Sequence, residues 1–263
     1  MIPATLAWLL VACSPETSLT PALDCPGTLD VPDLDALASA AAPSADDPCV
    51  LELTPAERHQ AGAGFYTAAE LDARDFSLCF EFWIGGGDAV GADGLTFTLF
   101  DAPPAGEWPL DEYVGASGSC LGYSYLADDC HNSTAPTHAG LTGLTLEVDT
   151  FANEHDLPSA VLPAELEPPQ LAIVFDADIL NPAWQEPLET LLDAERWHQL
   201  CLEVSAPTVR VTMDEQHFEF TLEGRETDFD FRGWPGFTAS TGEHYSGHAI
   251  QNINVDENSW VSD

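Results

Sequence analysis

The chain has 263 residues, of which 45% are hydrophobic, so it can bury a substantial core as one large domain or two small ones. The 45 acidic residues are opposed by six arginines and no lysine, and the formal net charge is −39 at pH 7. This charge excludes nucleic acid and anionic membrane surfaces as general partners, because both would be repelled.

The N-terminus reads MIPATLAWLLVACSPE, an apolar run that ends at Cys13. The run is too short to cross a bilayer as a helix. It resembles the lipobox of bacterial lipoproteins, which implies that residues 1–13 are a signal segment and that Cys13 is lipidated. The protein would then be exported and held at the bacterial outer membrane or cell surface by its lipid alone. A plain secretory signal is the alternative, because no Lys or Arg precedes the run.

Residues 14–30 are rich in Pro, Ser, Thr and Asp and are predicted to form a tether. Residues 31–256 are predicted to be one β domain, and residues 257–263 a polar tail. PLETLLDAERW alone suggests a helical turn. The predicted strands are CVLELT, FSLCFEFWI, GLTFTLF, GLTLEVDTF, QLAIVFDA, HQLCLEV, TVRVTM, HFEFTL and GFTAST. Many short strands without βαβ spacing favour an all-β fold, an antiparallel two-sheet sandwich of jelly-roll type.

Besides Cys13 the chain has six cysteines, an even number that suggests disulfides in an exported protein. Cys79 and Cys201 each lie between inward-facing apolar residues, so both thiols point outward on one face if their strands are neighbours. Free buried thiols are the alternative. The predicted pairs are Cys79 with Cys201, Cys120 with Cys130, and Cys25 with Cys49.

Residues 146–156, LEVDTFANEHD, carry several oxygen-bearing side chains at the end of a predicted strand. Because strand side chains alternate, Glu147, Asp149 and Phe151 face away from the side that carries Leu146 and Val148. One interpretation is a half-buried strand with a solvated acidic face. The other is a set of oxygen ligands for a hard cation.

Several segments in order resemble the legume-type (L-type) lectin domain, including its bacterial members, across residues 31–256. They are LELTPAERHQAGAGFY, FSLCFEFWI, GADGLTFTLF, GASGSCLGYSY, GLTLEVDTFANEHDLP, QLAIVFD and GFTASTGEHYSGHAIQNINV. The resemblance implies a concanavalin-like sandwich with a concave seven-stranded sheet and a flatter back sheet. Loops over the concave face would hold metal and sugar.

For the metal, the resemblance implies Ca²⁺ bound within LEVDTFANEHD. The implied ligands are the carboxylates of Asp149 and Asp156, the side-chain oxygen of Asn153 and the backbone carbonyl of Phe151. Calcium accepts about six to eight such oxygens in flexible geometry. Glu147, with Asp149 and Asp156, would face a second metal site. Gln170 stands there in place of the family's usual histidine, and an amide oxygen suits calcium better than a manganese-type metal.

For the sugar, the resemblance implies that Asp93 accepts hydrogen bonds from two hydroxyls, with the Ala92–Asp93 peptide bond in cis. Asn153 would donate its amide. His244 or Tyr245 could supply an aromatic platform, although the surface-loop interpretation is favoured for both. Further backbone contacts would come from Gly118, Ser119, Gly242 and Glu243.

The resemblance implies a calcium-dependent, non-catalytic carbohydrate-binding protein whose partners are glycans. The acidic strand also resembles that of laminarinase-type glycoside hydrolases, but Ala152 stands where their second glutamate is needed. Another alternative is a structural or protein-binding module of the same fold without a sugar site. A homodimer, which many plant members form through the back sheet, is left open.

Overall fold

The structure is a computed structural model, and it describes Cys25 and residues 27–29, 33–34, 36–88, 91–101, 114–125, 141–151, 169–188 and 196–261. These residues form fifteen β-strands and a few short 3₁₀ helices, among them Gly118–Cys120, Glu226–Phe229 and Glu257–Ser259. The strands are β1 (Ala36–Ser39), β2 (Ala42–Pro43), β3 (Leu51–Thr54), β4 (Ala61–Phe65), β5 (Leu71–Asp72), β6 (Asp75–Gly85), β7 (Gly94–Phe100), β8 (Gly143–Asp149), β9 (Gln170–Phe175), β10 (Trp184–Pro187), β11 (Trp197–Ser205), β12 (Thr208–Met213), β13 (Gln216–Thr221), β14 (Arg232–Ser240) and β15 (Gly247–Val255).

The strands form two antiparallel sheets. The front sheet has the order β1-β4-β14-β7-β8-β9-β10, with β5 also paired to β14. The back sheet has the order β13-β12-β11-β6-β15-β3-β2. The predicted antiparallel two-sheet jelly-roll sandwich is therefore confirmed. The front sheet has eight strands rather than the seven that the resemblance implied, because the short β5 adds to the end of β14.

Apolar side chains fill the space between the sheets. In β8, Leu144, Leu146 and Val148 face this core and are fully buried. The opposite face of the front sheet is covered as well, because residues 114–125 lie over it and contribute Tyr123 to a second apolar cluster. Burial on both faces explains why β7, β8 and β9 are buried along their whole length.

Each of the nine predicted strands is present, and the six further strands are β1, β2, β4, β5, β10 and β15. The sequence of β4, AGAGF, lacks the bulky residues typical of strands. Its glycines are needed for close approach: a β-carbon on Gly62 would lie 1.9 Å from the carbonyl oxygen of Leu53. Most of the predicted helical turn, PLETLLDAERW, lies outside the described residues.

Both ends of the described chain pack on the sandwich. Cys25 is bonded to Cys49, and the Leu29 N–H donates to the carbonyl oxygen of Ile253 at 3.1 Å. At the other end, Trp260 packs against the core. The folded unit thus includes residues from the stretches predicted as tether and polar tail.

Two of the predicted disulfides are present. Cys79 and Cys201 are direct partners on β6 and β11 and are bonded across the two strands, and Cys25 is bonded to Cys49. Cys120 is also disulfide-bonded. Its predicted partner Cys130, like Cys13, lies outside the described residues. Disulfides persist in oxidising compartments, which indicates an extracellular or lumenal domain.

Within the described part of the chain, no helix has the length and apolar character needed to span a membrane.

Candidate functional site

Neighbouring strands of the front sheet end side by side, and the predicted acidic residues lie at the edge of the sheet that these strand ends form. Asp149, at the end of β8, is paired in register with Gly94 of β7 and Gln170 of β9. Glu147 and Asp149 lie on the side of β8 opposite Val148, as the alternation predicted. Both are almost buried, with 8% and 7% of their surface exposed, respectively.

The Asp149 carboxylate is held from two sides. Its Oδ1 accepts a hydrogen bond from the Phe151 N–H at 2.9 Å, and its Oδ2 accepts one from Gln170 Nε2 at 3.2 Å. Gln170 is 4% exposed, and its buried Oε1 has no hydrogen-bond partner among the described residues. A buried carbonyl oxygen in that state is costly and calls for a partner such as water or a cation.

Glu147 is bound by a residue that the sequence did not single out. The hydroxyl of Tyr123, in the loop over the front sheet, donates a hydrogen bond to Glu147 Oε1. Burial, followed by the negative charge of Glu147, raises the pKa of Tyr123 well above its ordinary value. The phenol therefore stays protonated and continues to donate at any physiological pH.

The donor set at this edge fits a hard cation. Two carboxylates and the Gln170 Oε1 offer only oxygen, the donor that calcium prefers, whereas zinc and copper prefer imidazole or thiolate. Among the described residues, no group of three His, Cys, Asp or Glu side chains is close enough to hold a metal ion. The predicted ligands Asn153 and Asp156 lie outside the described residues.

Asp93, the predicted sugar acceptor, is tied to this edge through its backbone. The Asp93 carbonyl oxygen accepts hydrogen bonds from both the N–H and the hydroxyl of Thr150, each at 2.9 Å. The Asp93 N–H donates to Ser240 of β14 at 3.0 Å. The Ala92–Asp93 peptide bond is cis, as the resemblance implied. Asp93 thus lies between the end of β14 and the residue that follows Asp149.

Two glycine-containing loops meet at the Asp93 carboxylate. A β-carbon on Gly242 would lie 3.1 Å from Asp93 Oδ2 and 3.6 Å from the α-carbon of Gly118. The Gly118 loop is fixed to β14, because its carbonyl oxygen accepts a hydrogen bond from the Ser240 hydroxyl at 2.6 Å. Ser119 follows Gly118 in the 3₁₀ helix. Three predicted residues from distant parts of the chain therefore converge on one position.

A row of threonine hydroxyls on β7 and β14 supports the loop at residues 118–121. Thr96 of β7 contacts Thr98 at 3.2 Å and Thr238 of β14 at 2.7 Å. Thr238 in turn donates to the carbonyl oxygen of Leu121 at 2.7 Å. These buried hydroxyls attach residues 118–121 to the sheet. The alternating threonines of GLTFTLF are the sequence signal for this support.

The loop after β14 is tied to its surroundings through His244 and Glu243. His244 Nδ1 lies 2.9 Å from Asp88 Oδ2, and its ring centroid lies 5.4 Å from that of Phe151. The Glu243 side chain is 65% exposed and pairs with Arg58 at 3.5 Å. The role that the resemblance implied for Glu243 belongs to its backbone. Asp88 was not predicted, although it fixes the position of His244.

No protein-family model matches the chain, and no curated protein sequence matches it. Its fold is similar to that of several solved lectin structures. The lectin of Bauhinia forficata in complex with GalNAc has a TM-score of 0.63 and 16% identity, covering 87% of this chain and 94% of that one. Lectin I-B4 of Griffonia simplicifolia in its metal-free form has a TM-score of 0.60 and 18% identity, covering 84% and 91%. The exoplasmic/lumenal domain of VIP36 in a Ca²⁺- and Man-bound form has a TM-score of 0.56 and 12% identity, covering 84% and 82%. The chain has the L-type lectin fold.

Proposed function

We propose that this chain is a calcium-dependent carbohydrate-binding protein, a lectin without catalytic activity. The observation that carries the proposal is the convergence of Asp93, Gly118 and Gly242 on one position. A carboxylate beside glycine backbone can accept hydrogen bonds from sugar hydroxyls, because glycine lets the sugar approach closely. The N–H groups of Gly118 and Gly242 themselves donate to the carbonyl oxygens of Thr241 and His244. Thr150 ties this position to the acidic end of β8.

The residues present fit calcium as the metal. Asp149, the carbonyl of Phe151, Asn153 and Asp156 would hold it, and Gln170 Oε1 is a buried acceptor at the same edge. Glu147 would face a second metal site. Bound Ca²⁺ would neutralise the carboxylates at this edge.

The protein's own groups then have distinct tasks. Asp93 accepts hydrogen bonds from the sugar hydroxyls, and the amide of Asn153 donates one. Backbone groups of Gly118, Ser119, Gly242 and Glu243 complete the pocket. The threonine row and the Thr150 contacts fix the backbone on which these groups sit before sugar arrives, so less ordering entropy is lost on binding.

The ligands are proposed to be glycans displayed on cells or polysaccharides. Three of the similar solved structures are complexes with Man, GalNAc or methyl-alpha-D-galactose, which are uncharged sugars. A single shallow pocket binds a monosaccharide weakly. Lipid attachment at Cys13 would place many copies on one surface, and a repeating glycan would then be held through several sites at once.

The test is a glycan array probed with the full chain in millimolar Ca²⁺ and again in EDTA. The proposal expects retention on a subset of glycans that EDTA abolishes and that Asp93→Ala abolishes without changing the circular dichroism spectrum. Glu203→Gln, on the back sheet, is the matched control and should bind as the wild type does. Glycan-independent stabilisation by calcium would instead indicate a structural module, and release of reducing sugar from a β-glucan would indicate a hydrolase.

A further inference from the structure

An aromatic surface lies on the outer face of the back sheet. Trp83 of β6 and Trp197 of β11 are direct cross-strand neighbours. The adjacent Phe82 and His198 are fully buried, so alternation places both indoles on the solvent side of the sheet. Trp197 is 37% exposed, more than any other large hydrophobic residue in the described part of the chain.

The Trp83 ring is supported by glycine backbone. A β-carbon on Gly247, at the start of β15, would lie 3.3 Å from Cζ3 of Trp83, and one on Gly86 would lie 3.5 Å from its Cη2. The indole therefore packs beside both glycines; a β-carbon on Gly247 would crowd it, whereas one on Gly86 would be in ordinary van der Waals contact with it. A ring held in this way loses little conformational freedom when a ligand covers it.

Polar groups are gathered beside Trp83 on the same face. Glu81 Oε2 accepts hydrogen bonds from Gln251 Nε2 at 2.8 Å and from Asn252 Nδ2 at 2.7 Å. A β-bulge makes this arrangement: the register of β15 on β6 shifts between Gln251 and Asn254, and Asn252 has a φ of 52°. Bulges redirect side chains, and asparagine tolerates this left-handed conformation. Two consecutive amides thus face one carboxylate.

We propose that this tryptophan surface, formed by Trp83, Trp197, Glu81, Gln251 and Asn252, is a second carbohydrate site that binds an uncharged polysaccharide. A pyranose ring has an apolar C–H face that packs on an aromatic ring, whose own face carries partial negative charge. Each amide makes one bond to Glu81 and keeps further donor and acceptor capacity for hydroxyls. An aromatic surface with a few fixed polar groups is the usual composition of a ligand site.

Charge disfavours anionic occupants, and the aromatic and amide groups suit an uncharged, hydroxyl-rich chain. With a net charge of −39, the protein repels anionic polymers. Glu81 Oε2 already accepts two amide hydrogen bonds, which a cationic partner would have to displace in order to bind that oxygen. The tryptophan surface contains no predicted calcium ligand, so its binding is independent of metal.

The experiment is native affinity electrophoresis of the full chain in gels that contain hydroxyethyl cellulose, laminarin or galactomannan, all with EDTA. Wild-type protein is expected to be retarded by at least one polymer. Trp197→Ala is expected to weaken that binding roughly tenfold or more, as loss of an aromatic anchor does. Gln251→Ala should weaken it less. Glu203→Gln, on the same face, is the matched control and should migrate like the wild type.

Three outcomes would overturn the tryptophan surface: no retardation by any polymer, unchanged retardation of Trp197→Ala with an intact circular dichroism spectrum, or dissociation of a dimer by Trp197→Ala in sedimentation. Asp93→Ala separates this site from the calcium-dependent one. Retardation in EDTA that Asp93→Ala leaves unchanged supports the tryptophan surface, even if the glycan array shows no calcium-dependent binding. Binding that requires Ca²⁺ and Asp93, but not Trp197, would show that the calcium-dependent site binds carbohydrate and the tryptophan surface does not.

Discussion

The hydroxyl of Tyr123 donates a hydrogen bond to the carboxylate of Glu147, joining the loop at residues 114–125 to the middle of the front sheet. Tyr123 is fully buried and Glu147 is 8% exposed, so neither group can turn to bulk water instead. The contact therefore fixes the loop that carries Gly118 and Ser119.

Tyr123→Phe removes this donor and leaves an almost buried carboxylate with one partner fewer. We expect the free energy of unfolding to fall by about 1–3 kcal/mol, the cost of a lost hydrogen bond to a buried charged group. Chemical denaturation at pH 7 measures it. Tyr245→Phe, in the loop after β14, is the control, and an equal loss in both variants would show that the Glu147 contact is not responsible.

Gly242→Ala should reduce sugar binding with little effect on stability. The added methyl group would lie 3.1 Å from Asp93 Oδ2, closer than an ordinary van der Waals contact, so the carboxylate would have to shift from its position. Gly242→Val should reduce binding further. Titration calorimetry with the best array glycan measures the loss, and thermal denaturation tests whether the fold is retained. Unchanged affinity in both variants would remove Gly242 from the pocket.

Gln170→Glu should make the protein more dependent on calcium. The substitution replaces an amide donor to Asp149 with a second carboxylate, so like charges meet at a buried position. In EDTA the Tm should fall below that of the wild type, and added Ca²⁺ should raise it by more, because binding to the folded state stabilises it. Gln199→Glu, on an exposed position of β11, is the control for charge alone. Equal calcium-induced shifts in all three proteins would contradict a cation at this edge.

The buried His248 should make stability depend on pH. Burial lowers the pKa of His248 to about 3 in the folded protein, against an ordinary value of about 6.5 in the unfolded chain. Between these values the unfolded chain binds a proton that the folded one does not. Stability should therefore rise with pH across this window, by up to about 1.4 kcal/mol per pH unit from this residue, and be lost as pH falls.

His248→Gln should remove this contribution, which appears as the difference between wild-type and variant stabilities measured by denaturation from pH 4 to 6, a range that lies inside the window. Thr54→Ala is the control. It removes the 2.7 Å contact to His248 Nδ1 but keeps the titrating group, so its pH dependence should persist at lower overall stability. If His248→Gln kept the wild-type dependence of stability on pH, another group would be responsible.

Much of the architecture could be predicted from local patterns. Nine strands and the Cys79–Cys201 pair follow from apolar alternation, because a period of two assigns each side chain to a face without knowledge of the partner strand. β4 escaped prediction because its glycines serve contacts with β3 and residue 41 rather than a local preference. The bulge in β15 escaped because register is a property of two strands together.

The sequence by itself determined the fold class, the faces of the strands and, through the family resemblance, the candidate metal and sugar ligands. Only the tertiary structure decided which of them meet: that Gly242 lies beside Asp93, that Tyr123 binds Glu147, and that Gln170 reaches Asp149. The physical reason is that alternation acts between adjacent residues. A hydrogen bond between residues far apart in the chain depends on how strands and loops pack, and no local pattern records that.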